Sequence, residues 1–286
     1  MMESLEAILK AKGIPFCRIG NRIRCFPHVV NIAVQTGVRQ LTDIPDDVYH
    51  DNVATTDPYL DALRADPVVQ ARDLVRVSRA SQQRREEFQD TIKEGNTQKA
   101  FGDQPLPEAV LLQDVDTRWS SLYLMIDRVL ELYQAVHKFL QRPRQDAIKH
   151  YALSREALEV LQDVREFLQA PHMVQEVLSA QKTPTLSMAL PGYEKLIVLL
   201  RLLRKKLPRI AHGIDASIRK LEEYLGRSRE TKIYVIAMGM TCSHSLTLTL
   251  TISLVINPTM KIEWLRKNWG ERDGNEARKL LRDTVR

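Results

Sequence analysis

Residues 114–136 read DVDTRWSSLYLMIDRVLELYQAV, and their periodicity decides the fold class. From Trp119 the apolar positions run Leu122, Tyr123, Ile126, Val129, Leu130, Tyr133, Val136 and then Leu140. Spacings of three and four sustained over that length mark one buried face of a helix, not the alternation of a strand. Asp116 precedes the stripe and suits an N-cap, because its side chain can accept from the free N–H groups of a first turn. The predicted element is a helix over 119–140.

Helical patterns continue on both sides. Downstream, a helix is predicted from Ser154 to about Leu178, with Leu158, Leu161, Val164 and Leu168 on one face and a kink or break at Pro171. Others follow at Tyr193–Leu207, Asp215–Leu225, Met260–Trp269 and Asn275–Arg282. Upstream, residues 95–116 carry turn signals and read as a linker. Asp66 and Pro67 open a helix to about Gly95, whose polar half SRASQQRREEFQD reads as solvent-exposed or partly disordered. Residues 43–66 hold seven Asp and one basic residue, Arg64, and predict a loop with a short helix. HVVNIAVQTGVRQL predicts a helix interrupted near Gly37, and Met2–Lys12 a short amphipathic helix stopped by Gly13 and Pro15. One stretch breaks the pattern: Met240–Val255 alternates Leu and Thr and reads as an isolated β-prone insert. The fold class is mainly α, in three parts: 1–42, 43–116 and 117–286, with 240–255 as an atypical insert.

Composition agrees with a folded chain. Of 286 residues, 44% are apolar, 27% charged and 6% aromatic, which excludes collagen, rod and wholly disordered classes. Cys17, Cys25 and Cys242 are an odd set in a long chain, which points to a reducing compartment. No apolar run reaches the roughly 18 residues of a membrane span. The net charge is +6, split into −4 over residues 1–116 and +10 over 117–286, so an acidic partner is expected to meet the second part.

Four groups of residues could carry chemistry. Cys25 and His28 have the gap of half a zinc site, yet no second pair follows; the alternative is a buried Cys beside a packed or capping His. Asp114 and Asp116 could seed a divalent metal site or simply cap the following helix. Arg118 and Trp119 place a guanidinium beside an indole at a helix start, which suits a phosphate clamp with a base-stacking wedge, or else opens the apolar stripe as core. Residues 195–214 hold Lys195, Arg201, Arg204, Lys205, Lys206 and Arg209 with no acid, around a Leu face. Such a helix can offer phosphate contacts, lie on an anionic surface, or be an ordinary solvated face.

Four segments together resemble the hAT transposases, in the fungal lineage associated with BED fingers: NRIRCFPHVVNIAVQ (21–35), DVDTRWSSLYLMIDRVLELYQAV (114–136), LSAQKTPTLSMALPGYEKL (178–196), and KIYVIAMG (232–239) with INPTMKIEWLRKNW (256–269). The resemblance implies a helical insertion domain of an RNase H-like transposase, with a partial RNase H-like remnant at the N-terminus. It implies that Cys25 and His28 match the family's Cys/His motif. It also implies that Arg118 and Trp119 match its Arg-Trp pair, which favours DNA contact over core for Trp119. The three catalytic carboxylates that the family uses with a divalent metal such as Mg are expected outside this chain. The expectation is therefore a catalytically inactive fragment with no cofactor of its own, and with Met240–Val255 as retained intron or late insertion. It would make non-specific DNA contact through Arg118, Trp119, Arg201, Arg204, Lys205, Lys206 and Arg209. DNA and a full-length relative stand as partners, and the nucleus is favoured over the cytoplasm. The alternative is a helical interaction module that binds proteins or anionic surfaces through residues 195–209.

Overall fold

A computed structural model describes residues 2–18, 23–45, 57–115, 118–178, 186–229, 231, 270–272 and 275. Among them are ten α-helices and no β-strand, in keeping with the mainly α reading. They are α1 Met2–Ala11, α2 Phe26–Arg39, α3 Pro58–Arg64, α4 Pro67–Ser78, α5 Gln82–Thr97, α6 Trp119–Glu131, α7 Tyr133–Leu140, α8 Arg155–Leu178, α9 Leu186–Lys206 and α10 Ala211–Arg229. A 3₁₀ segment, Pro143–Tyr151, joins α7 to α8. The insert 240–255 and the predicted helix 260–269 lie outside the described residues, as does nearly all of 275–282.

Several predicted boundaries move, each for a local reason. The helix expected over 67–95 is two, because Ser81 starts α5 as a β-region N-cap whose hydroxyl accepts from Arg84 N at 3.2 Å. The long helix from Trp119 is also two. Leu132 leaves helical geometry at φ −98°, ψ 8°, with no Gly or Pro to signal it. Pro171 does not break α8, and Gly37 does not interrupt α2. The polar half of the 67–95 segment is ordered: α5 buries Phe88, Thr91 and Ile92, and Phe88 meets Phe139 of α7 edge-on with centroids 5.6 Å apart.

The described chain forms two compact units. The first comprises residues 34–172 and 202–217. Its core is lined by Leu74, Ile92, Met125, Ile126, Phe139, Leu161, Val164 and Phe167, all buried. Tyr59 of α3 is buried there too, and its hydroxyl donates to Asp163 Oδ2 at 2.7 Å. Burial, reinforced by that carboxylate, holds the phenol well above the usual tyrosine range. The segment expected to be a linker is instead a strap bound to this unit. Asn96 exchanges two hydrogen bonds with the Leu106 backbone, at 2.8 and 2.9 Å. Gln89 and Arg128 donate to the carbonyls of Ala109 and Val110, each at 3.0 Å, and Arg79 donates to that of Leu111, whose side chain is buried.

The second unit comprises the described residues that fall within 1–33, 173–201 and 218–286. Its described core is Phe26, Val29 and Val30 with Leu190, Tyr193, Leu196 and Leu221. Phe26 and Tyr193 pack with centroids 4.5 Å apart. Beside them, a Cβ at Gly192 would fall 2.5 Å from Leu178 Cδ1 and 3.3 Å from Phe26 Cε2. Helix α1 buries none of its residues.

Candidate nucleic-acid interface

The Arg118/Trp119 position opens on a pocket of about 340 Å³ in the first unit. Its lining comes from Gln35, Val38 and Arg39 of α2, Arg72 of α4, the turn residues Val115 and Arg118, and Trp119 and Leu122 of α6. Three guanidiniums therefore face it, and no carboxylate does among the described residues.

Local packing sets each wall. On α2, Gly37 lies where α10 passes: a Cβ at 37 would sit 2.1 Å from Ser217 Oγ and 2.6 Å from the Gly213 carbonyl. A Cβ at Gly213 would meet Leu41 Cδ2 at 2.6 Å, so two glycines make this crossing and fix the face that carries Gln35, Val38 and Arg39. The 115–118 turn is closed by Arg118 N donating to the Val115 carbonyl at 2.8 Å. Ser121 Oγ supports it, accepting from Val115 N at 2.8 Å and donating to the Arg118 carbonyl at 2.6 Å.

Asp114 does not serve as a helix cap. Its carboxylate, 6% exposed, accepts from Arg72 Nε at 2.8 Å, so its charge is held by a guanidinium. Asp116 lies outside the described residues, and no group of three or more metal-ligating side chains occurs among those described. Trp119 is 3% exposed, with its ring edge-on to His172 at 6.2 Å between centroids. His172 in turn packs on Tyr123 at 4.6 Å. The indole is core, as the bare periodicity would have it, and it offers no open face to a base. Arg118 beside it is exposed.

Basic helix α9 and its flank are arranged differently. Arg201 pairs with Glu222 at 2.6 Å, Arg204 with Asp215 at 2.7 Å, Arg209 with Glu159 at 2.9 Å, and Lys206 with Glu166. The Arg209 guanidinium also lies over the Tyr59 ring, 4.3 Å from its centroid. Lys205 is exposed and has no ion-pair partner among the described residues. Cys25 and His28, at the start of α2, are both exposed, which removes the reading of a buried Cys beside a packed His.

Gln35, Arg39 and Arg72 escaped the sequence reading. A signal existed for two of them, since Gln35, Val38 and Arg39 fall at i, i+3 and i+4 and so share one face of α2. Nothing local to Arg72 marks it.

A family model described as the ZBED1 RNase-like helical domain matches residues 23–167, a stretch that contains every residue lining the pocket. No curated protein and no solved structure matches the chain. With just over half of its 286 residues inside that match, the chain belongs to the ZBED1 RNase-like helical domain family and carries a transposase-derived helical domain.

Proposed function

We propose that this domain binds DNA through the three-arginine pocket and does not cleave it. The observation that carries the reading is the pocket lining: Arg39, Arg72 and Arg118 around one cavity, with no acid among the described lining residues. Guanidiniums grouped in this way suit phosphate oxygens, which accept their paired N–H donors. Cleavage by metal ions needs clustered carboxylates, and Asp114, the acid described beside the pocket, is taken up by Arg72. The hAT resemblance points the same way through Arg118 alone, which matches the Arg of that family's Arg-Trp pair and is exposed. Fluorescence anisotropy with a labelled duplex at several salt concentrations tests it. Log affinity should fall with log salt by about 0.9 per phosphate contacted, and a flat response would overturn DNA binding.

A second reading, docking of α9 on an anionic surface, rests on Val198 and Leu202, both more than half exposed on the helix that carries Lys195 and Lys205. Flotation with vesicles of anionic lipid checks it; protein left at the bottom of the gradient removes it.

A further inference from the structure

A glycine marks a second face. Gly226 sits inside α10, where glycine weakens a helix relative to alanine. The other helical glycines described, Gly37, Gly95, Gly192 and Gly213, each have a described atom within 2.6 Å of where a Cβ would lie, so packing requires them. At Gly226 no described atom comes within 4 Å, and packing among the described residues gives no reason for it. The residue borders a groove of about 380 Å³ between α9 and α10 in the second unit. Two ion pairs fix the register there, Glu194 with Arg229 at 2.9 Å and Arg201 with Glu222 at 2.6 Å. As α9 advances from 194 to 201, α10 runs back from 229 to 222. The helices are therefore antiparallel, with Ile197 level with Gly226 and Val198 with Leu225. Each lends positions i, i+3, i+4 and i+7, the stripe by which helices pack on further helices. The centre of the groove is apolar, with Val198 54% exposed, and its rim is charged, the usual anatomy of an interface.

The rim charges alternate around the groove, in the order Glu194, Arg229, Glu222, Arg201. A partner of one sign gains at two corners and loses at the other two. The same face turned about a two-fold axis in its own plane gains at all four. With the axis along the helices, Glu194 meets Arg229 and Arg201 meets Glu222 of the second copy. With the axis across them, Glu194 meets Arg201 and Arg229 meets Glu222. We propose that this groove is a dimer face on which a second copy of the chain seats its own α9 and α10, Gly226 supplying the hollow and Val198 the knob that enters it. Sedimentation equilibrium of the full chain, freed of nucleic acid, should show the mass rising reversibly from one chain towards two between about 1 μM and about 0.5 mM, a weak range suited to a small face. Gly226→Gln, which fills the hollow, and Val198→Glu should each weaken association about tenfold or more. In dilute protein Gly226→Gln should also melt about 2 °C higher, because it removes a helix glycine without a clash. A chain that stays monomeric up to about 0.5 mM, or two variants that associate as the original does, would overturn the dimer. A lower melting temperature for Gly226→Gln would overturn it too, by showing that the chain covers this face itself. Flotation of a monomer with phosphatidylserine vesicles, lost in Val198→Glu, would give the face to lipid instead.

Discussion

The arginines of the pocket and the cations of α9 make opposite use of the same charge. Residues 195–214 hold six basic residues and no acid, the densest positive run in the chain. Yet four of them face a carboxylate that arrives from another helix, and Arg209 also covers Tyr59. The pocket draws single arginines from α2, α4 and the position before α6, places them around one cavity, and sets Asp114 against Arg72. Charge density along a sequence thus says little about where an anion will sit. What matters is whether acids from elsewhere in the fold come to meet it. Exposed pairs of the α9 kind contribute little to stability, on the order of 0 to 1 kcal/mol each, but they do lower the local potential.

The contrast can be broken at the α2 wall. Gly37→Ala should lower stability by about 3 kcal/mol in urea unfolding, because the added methyl overlaps Ser217 and the Gly213 backbone. Alanine favours a helix over glycine by up to about 1 kcal/mol, so a stabilised variant would sink the glycine crossing.

Arg209's structural employment is sharpened by pH. The phenol of Tyr59 stays neutral in the folded state while that of the unfolded chain ionises near pH 10, so folding retains the proton and stability falls as pH rises. The loss should be about 1.4 kcal/mol per pH unit above 10. Tyr59→Phe should make denaturation midpoints between pH 10 and 12 less steep, though not flat, since burial raises Tyr133 as well. An unchanged slope would remove Tyr59 as the cause.

Affinity divides the two regions directly. Arg118→Ala should weaken DNA binding about tenfold, the cost of a hydrogen bond to a charged group. Arg204→Ala, whose guanidinium is already engaged by Asp215, should stay within about twofold, a surface-pair effect. Equal losses would erase the distinction between the two regions. Smallest of all, Lys205→Ala should shift stability by less than about 0.5 kcal/mol, as expected at an exposed position.

Helical content was legible because apolar periodicity is local, and the stripe from Trp119 through Leu140 is buried except at Leu130 and Tyr133, which are partly so. The break at Leu132 was not, since the stripe resumes in register on the far side and no Gly or Pro interrupts it. Pro171 misled in the other direction. A proline forfeits only its own N–H and crowds one turn, and α8 runs on through Pro171 to Leu178. At the site, Arg118 and Trp119 were legible as neighbours, but the burial of Trp119 depends on His172, more than fifty residues away. The same holds for Asp114, read as a cap from its place before α6, which is claimed instead by Arg72 from α4. Pairings across such separations follow from tertiary structure alone, and no spacing rule contains them.

The strap over residues 102–115 has a consequence for sequence change. Asn96, Gln89, Arg128 and Arg79 grip it by main-chain carbonyls at Leu106, Ala109, Val110 and Leu111, and a carbonyl is common to every amino acid. Its exposed positions, Pro105 and Pro107 among them, can therefore drift over generations without loosening the hold. The four gripping side chains cannot, and among relatives they should be the steadier letters of the alignment.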